Sequence, residues 1–299
     1  MYTESHHKKS ENDYNPITLK TLTQKNFEQL SEYIYTNLGI KLSPVKKTML
    51  QARLQKRLRA LRFSSFDEYC NYLFSPEGPD EEIFFINVIT TNKTDFFREP
   101  AHFEYLKQFG FTHIIEDLKK EGRRNIKIWS AGCSTGEEPY TLAMVANEYI
   151  ENSAHWRGSF SIFATDISTE VLNTSIRAVY HKDRITGLPL NLKQKYFHKN
   201  KNHEKPVVKI VPELRKFVSF QQLNFMNDRF AIDKEFDIIF CRNVMIYFDE
   251  DKRQQLIIKF CNHLREGGFL FIGHSESIRG INVPLIQIRP TIYQKSIRK

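Results

Sequence analysis

Apolar positions follow a helical period in the first third of the chain and fall in short dense runs after it. Phe27, Leu30, Ile34 and Leu38 lie three or four apart with Gly39 beyond them, which predicts a helix closed by a glycine cap. Leu50, Leu54, Leu58 and Leu61 repeat that spacing after Pro44, so a second helix is expected with proline in its first turn. Ser65–Leu73 and Glu81–Ile89 predict two more helices, with Ser75-Pro76 and Gly78-Pro79 between them. Residues 21–91 therefore read as an N-terminal helical domain with its linker, and residues 92–299 as a second domain. From Ile126 the pattern alternates between strand and helix. Strands are expected at Ile126–Trp129, Phe160–Thr165, Val218–Gln221, Phe236–Cys241 and Gly268–Ile272. Helices are expected from Thr141 onward, over Glu170–Arg177 and over Lys252–Leu264. That order implies an α/β fold, a parallel sheet with helices on both faces, which Thr291–Gln294 closes as an antiparallel strand. Residues 180–217 interrupt the rhythm, and the alternation at Val207–Val211 predicts a small inserted antiparallel unit.

Composition narrows the setting. A length of 299 residues, 40% hydrophobic, suits one large domain or two smaller ones. No apolar run approaches bilayer length, and the opening MYTESHHKKSENDYN has no apolar signal region, so residues 1–20 are expected to be a disordered tail. Cys70, Cys133, Cys241 and Cys261 form no C-x-x-C pair and no zinc spacing, as expected of reduced thiols in a cytoplasmic protein. The net charge of +9 calls for an acidic partner, either nucleic acid or an acidic protein surface. Lys41–Arg62 holds eight basic residues and no acidic one. At about 100° per residue Lys46, Arg53 and Arg57 share a face beside the leucine stripe, a candidate binding surface. Residues 180–217 hold ten basic residues against three acidic ones, as a partner- or substrate-recognition element would.

The chemistry concentrates at strand ends. Gly132 and Gly136 bracket a tight turn between the first strand and the next helix, a place where a nucleotide-like ligand meets backbone N–H groups. The spacing is not G-x-G-x-x-G, and Glu137 and Glu138 follow at once. Carboxylates there repel a pyrophosphate and attract a cation, which points from NAD towards S-adenosylmethionine (SAM). Asp166 ends the second strand, where a carboxylate accepts hydrogen bonds from both ribose hydroxyls; Asp166 or Ser168 can also cap the helix that follows. Asn224 and Phe225 offer an amide for an adenine edge and a ring for its face. Arg242 and Asn243 stand at the C-terminal end of a buried strand, with Tyr247 just beyond. In TTNKTDFFRE, Asn92, Thr94 and Arg98 interleave with Phe96 and Phe97, either as a capped helix start or as a lid over the pocket.

Six segments, TNKTDFFRE, SAGCSTGEEPY, FATDIS, LNF, FCRNVMIYF and GGFLFIGHSE, stand in the order found in the CheR family of chemotaxis receptor methyltransferases, and the chain resembles that family over residues 21–295. The resemblance implies a Rossmann-like SAM-dependent methyltransferase domain, an N-terminal helical domain and an inserted β-subdomain near residues 180–217. It implies SAM contacts from Asn92, Thr94, Arg98, Glu138, Asp166, Asn224, Phe225, Arg242 and Asn243. It makes the acceptor a glutamate side chain on a receptor's cytoplasmic helices, with methyl esters and S-adenosylhomocysteine as products. Glutamate, with a pKa of about 4.3, is already a nucleophile at neutral pH, so no general base is needed. Arg98 and Tyr247 are the candidates for orienting the reacting groups, and the Lys46/Arg53/Arg57 face for meeting the acidic substrate helices. The stretch His198–Pro206 has no glycine, whereas the corresponding loop is often glycine-rich in the best-known members and in some binds a tethering peptide. No metal, no nucleic-acid partner and no membrane insertion are expected, and the protein is expected to be a cytoplasmic monomer. A nucleic-acid methyltransferase of the kind that carries Asn/Asp-Pro-Pro-aromatic is the main rival; CRNVMIY lacks those prolines. A non-catalytic SAM-binding protein is the second rival, opposed by Arg98, Glu138, Asp166 and Arg242.

Overall fold

The computed structural model describes residues 21–154, 156–200, 206–232 and 235–297. The expected tail at 1–20 and the middle of His198–Pro206 lie outside them. The chain divides into two compact units: described residues up to Leu30 with Ser43–Ile89, and Ser31–Leu42 with Thr90 onward.

The first unit holds the start of α1 (Gln24–Leu38), then α2 (Lys47–Ala60), α3 (Phe66–Leu73) and α4 (Pro79–Ile89). Pro44 opens a single 3-10 turn, Pro44–Lys46, and the α-helix proper begins after it. Leu50, Leu54 and Leu58 are buried as the stripe predicts, while Leu61 at the C-cap is half-buried. The Ser65 hydroxyl accepts from the Glu68 N–H, and the Glu68 carboxylate accepts from the Ser64 N–H at 2.7 Å, so both ends of the cap are satisfied.

The second unit takes the C-terminal half of α1. The Tyr35 hydroxyl donates to Asp249 Oδ2 at 2.6 Å, and the Lys41 N–H to the Tyr247 carbonyl at 3.1 Å. Gly39, at φ +70°, ends the helix where a Cβ would stand 2.4 Å from Met226 Sδ. There follow α5 (Ala101–Tyr105), α6 (Phe111–Lys120), β1 (Asn125–Ala131), α7 (Glu137–Glu151), β2 (Ser159–Asp166) and α8 (Thr169–Arg177). The insertion is β3 (Val179–His181), α9 (Leu190–Tyr196), β4 (Phe197–Lys199), β5 (Val207–Ile210) and α10 (Pro212–Arg215). The chain then returns through β6 (Val218–Gln222), β7 (Phe236–Cys241), α11 (Glu250–His263), β8 (Leu264–Ile272), β9 (Leu285–Arg289) and β10 (Ile292–Lys295).

The main sheet runs β6-β2-β1-β7-β8-β10-β9, parallel from β6 to β8, with β10 antiparallel to both neighbours. The insertion forms a separate antiparallel sheet, β3-β5-β4, as expected. Alternate residues of β1 feed two core layers: Ile126 and Ile128 pack on one face, Trp129 and Ala131 on the other. Strand order reverses between β1 and β7, so the crevice beyond their C-terminal ends is where such sheets bind ligands.

Several elements differ from expectation, β8 for one beginning at Leu264 rather than Gly268. Helix α7 begins at Glu137 rather than Thr141, because Pro139 falls in the first turn, whose N–H groups have no helical acceptor anyway. Strand β9 is not anticipated: Pro284 and Pro290 flank it and hide a five-residue alternation at the sheet edge.

Candidate active site

The glycine turn is locked from within. Gly132 and Cys133 both donate their N–H to the Thr165 carbonyl, at 2.8 and 2.9 Å, and Gly136 donates to Cys133 at 3.1 Å. The Ser134 N–H donates to Asp166 Oδ2 at 2.8 Å. These four N–H groups are therefore spent on the fold rather than open to a ligand, contrary to the sequence expectation. Tying the turn to the end of β2 consumes three of them, and closing the turn on Cys133 consumes the fourth. Both glycines take positive φ, +82° and +95°. At Gly136 a Cβ would also meet the Tyr180 hydroxyl at 2.8 Å, so no other residue fits without displacement.

Asp166 is 8% exposed at the lip of the crevice. Its Oδ1 accepts from the Ser168 N–H at 3.0 Å, while the Ser168 hydroxyl, accepting from Val171, is the cap of α8. Capping thus falls to Ser168, and Asp166 bridges the turn to the helix start. Burial raises its carboxyl pKa, and the N–H donors of Ser168 and Ser134 oppose that rise.

Glu137 and Glu138 are both buried, and each has an arginine. Glu138 Oε1 accepts from the Ser130 hydroxyl at 2.7 Å and its Oε2 from Arg242 Nε at 2.8 Å. Glu137 Oε1 accepts from Arg184 Nη2 at 2.5 Å and its Oε2 from the Thr135 hydroxyl at 2.6 Å. The pair that suggested a cation site from sequence is already neutralised by Arg242, just past β7, and by Arg184 of the insertion.

Arg242 is 7% exposed and holds three segments together. Besides Glu138 it donates through Nη1 to the Arg98 carbonyl at 2.7 Å and to His102 Nδ1 at 3.1 Å. Guanidinium only donates, so His102 Nδ1 must accept and Nε2 carries the proton, which goes to the Thr291 hydroxyl at 2.8 Å. Burial and the Arg242 charge push the His102 pKa down to about 3. Glu99, His102 and His274 bring ligand-type atoms within 4.8 Å of one another, an arrangement the cysteine and histidine spacing does not reveal. Arg242 Nη1 stands 3.7 Å from Glu99 Oε2 and bonds His102 Nδ1, so a guanidinium already supplies the positive charge there.

TTNKTDFFRE does not start a helix. It is an irregular strap from Thr90 to Pro100, ahead of α5. The Asn92 carbonyl accepts from the Ser134 hydroxyl at 2.9 Å, and the Phe97 N–H donates to Thr141 Oγ1 at 3.2 Å. Thr94 is buried, Asn92 and Arg98 are half-buried, and Arg98 Nη1 returns to the Lys93 carbonyl at 2.9 Å. Hydrogen bonds thus link the strap, the glycine turn, Asp166, Glu138 and Arg242 around the ends of β1, β2 and β7. Asn243, at φ +61°, lies 3.4 Å through its amide from Glu99 Oε1. Phe225 lines Gly132, where its ring would lie 3.9 Å from a Cβ. Asn224 is held by its own side chain, which donates to the Asn37 carbonyl at 2.8 Å and accepts from the Met226 N–H at 2.9 Å. Tyr247 is half-buried in a 3-10 turn, Met245–Tyr247.

Sequence reasoning does not single out Glu276. Its carboxylate accepts from the N–H groups of Asn243 (3.0 Å), Met245 (2.7 Å) and Gly273 (2.6 Å), clamping the turn that carries Asn243 and Tyr247 to the end of β8. A carboxylate four residues past the apolar run of GGFLFIGHSE was the available signal. Cys133 and Cys241 are fully buried and their pKa values are raised by burial, which suits space-filling rather than nucleophilic chemistry.

Within the first unit, two members of the expected basic face turn to their own neighbours. Arg57 makes a forked ion pair with Glu81, Nε at 2.9 Å and Nη2 at 2.5 Å, and Glu81 is 1% exposed. Arg53 Nη1 donates to the Ile89 carbonyl at 2.6 Å. The acidic partner that Lys41–Arg62 lacks is supplied by α4. Lys46 is half-buried, and Lys41, Lys56, Arg59 and Arg62 are the exposed cations of this segment.

The chain matches two family models: the CheR methyltransferase all-alpha domain over residues 25–90 and the CheR methyltransferase SAM binding domain over residues 92–293. It is 43% identical to a chemotaxis protein methyltransferase of Borreliella burgdorferi, over 92% of this chain and 95% of that one. It is 36% identical to chemotaxis protein methyltransferase 2 of Pseudomonas aeruginosa, over 91% and 93% of the two chains. With the chemotaxis protein methyltransferase of Escherichia coli it shares 34%, over 92% of each. Matched along nearly its whole length, with both domains in order, the chain belongs to the CheR family of SAM-dependent methyltransferases.

Proposed function

We propose that this protein methylates glutamate side chains on the cytoplasmic helices of chemoreceptors, using SAM and leaving S-adenosylhomocysteine. The observation that carries the reading is the bonded chain from Asp166 through the glycine turn and the strap to Arg242 at the switch point of the sheet. Its donor set fits SAM. The Asp166 oxygens accept the N–H groups of Ser134, Ser168 and Ile167 and retain acceptor capacity for a ribose hydroxyl. The Phe225 ring beside side-chain-less Gly132 offers an apolar wall to the base, with Asn224 next to it. Asn92, Thr94, Arg98, Glu138, Arg242 and Asn243 complete the binding set.

When bound, SAM supplies a methyl group already activated by its positive sulfur. The acceptor carboxylate is ionised at neutral pH, so neither a base nor a metal is called for. What the protein contributes is alignment of oxygen, carbon and sulfur. Arg98 and Tyr247 orient the acceptor carboxylate and the methyl donor from the strap and from the turn after β7. Arg98 keeps part of its donor capacity engaged with Lys93, which limits how tightly it quenches the acceptor.

The basic α2 segment meets the acidic substrate helices through Lys46 and Arg53 together with Lys56, Arg59 and Arg62, while Arg57 holds α2 to α4. The protein works as a cytoplasmic monomer with no nucleic-acid partner; no described helix is long and apolar enough to cross a membrane. Mass spectrometry of a receptor cytoplasmic fragment after incubation with the protein and SAM tests the reading. A gain of one methylene on glutamate-containing peptides is expected; methylation of RNA in place of the fragment contradicts it.

A further inference from the structure

The inserted sheet turns two polar side chains inward, onto the glycine turn. Arg184 lies in the 3-10 turn Lys182–Ile185 that follows β3. Its Nη2 donates to Glu137 Oε1 at 2.5 Å and to the Thr94 carbonyl, and its Nη1 stands 3.2 Å from Asp95 Oδ1. Glu137 is 1% exposed and has exchanged water for Arg184 and the Thr135 hydroxyl. Tyr180, on β3, donates its hydroxyl to the Thr135 carbonyl at 2.9 Å. Phe96 of the strap packs edge-on against Tyr180 at 5.1 Å and Phe197 of β4 at 5.5 Å. One small sheet thus grips the glycine turn on one side and the strap on the other.

We propose that Arg184 is a positioning residue of the cofactor site, through which the inserted subdomain sets the order of the glycine turn and of Thr94–Asp95. The proposal rests on the reading that SAM binds at this turn. Removing Arg184 leaves the Glu137 carboxylate buried without its cation, and the first turn of α7 must move to rehydrate it. By linkage, ligand at the turn in its turn orders β3 and the residues up to Ile185.

The test is calorimetric titration of the full chain with S-adenosylhomocysteine, paired with hydrogen exchange over residues 179–185. Arg184→Ala is expected to weaken binding by about tenfold or more and to abolish ligand-induced protection of 179–185. Adding Glu137→Gln to Arg184→Ala removes the stranded charge and recovers part of the affinity, a non-additivity that general loosening does not produce. Arg184→Lys keeps a cation on Glu137 without the fork over Thr94 and Asp95, and is expected to bind with intermediate affinity. It stands in if Arg184→Ala does not fold. Wild-type affinity in a folded Arg184 variant overturns the proposal, as does strict additivity of the double substitution. Asp166→Ala separates the two readings: if it loses binding while Arg184 variants do not, only the positioning role fails. If Asp166→Ala binds as wild type, the site itself is elsewhere.

Discussion

Arg242 Nε donates to Glu138 Oε2 at 2.8 Å across the switch point, joining the end of β7 to the first turn of α7. Both residues are buried, and the same guanidinium carries the Arg98 carbonyl and His102. Breaking such a pair strands a charge, so Arg242→Ala should lower the unfolding free energy by about 3–5 kcal/mol, read by urea denaturation. Arg242→Lys can hold Glu138 but not the whole fork and should fall between. A loss below about 1 kcal/mol in Arg242→Ala would mean the pair contributes little to the fold.

Asp166 accepts N–H groups from Ser134 and Ser168 and is assigned the ribose. Asp166→Ala should remove measurable SAM binding. Asp166→Asn, whose amide must turn a donor towards one of those N–H groups, should weaken it by about tenfold to a hundredfold. Calorimetric titration decides, and wild-type affinity in Asp166→Ala would show the ribose assignment to be wrong.

His102 gives the fold an acid-sensitive point. Its pKa is lowered from 6.5 to about 3 in the folded protein, by burial first and then by Arg242. Between those values the unfolded chain binds a proton that the native state refuses. The His102 contribution is therefore intact above about pH 6.5 and is lost as pH falls towards 3, at up to about 1.4 kcal/mol per unit. His102→Gln should flatten that part of the stability profile in denaturation series at stepped pH; an unchanged slope would mean His102 titrates normally.

The parallel sheet, the inserted antiparallel unit and the glycine turn were legible because each rests on local periodicity or on motifs contiguous in sequence. The partners of the charged residues were not. Arg57 meets Glu81, Glu137 meets Arg184 and Glu138 meets Arg242, and in each pair the two residues belong to different elements. Lys41–Arg62 looked like an unpaired basic face because its neutralising carboxylate comes from α4. The N–H groups of Gly132, Cys133 and Ser134 looked available because their acceptors, Thr165 and Asp166, sit on the next strand. Glu276 was within reach of sequence reasoning, and Arg184 was not, since nothing local distinguishes it from the other cations of the insertion.

Separating Arg57 from its neighbours on α2 tests the substrate face. Arg57→Ala strands Glu81 and should lower stability by about 3 kcal/mol. Lys56→Glu with Arg59→Glu should leave stability and SAM affinity near wild type and reduce receptor methylation several-fold, most strongly at low ionic strength. Arg53→Glu should also reduce methylation without changing SAM affinity, with some loss of stability from its bond to Ile89. Equal loss of SAM affinity and methylation in these variants would remove α2 from substrate recognition.

The proposed acceptor is a protein carboxylate. Receptor-bearing membranes incubated with the protein and methyl-labelled SAM, then exposed to mild alkali, test it directly. Methyl esters hydrolyse under those conditions, so release of the label as volatile methanol is expected. Label that stays on the receptor through alkali, or that appears on added RNA instead, would contradict it.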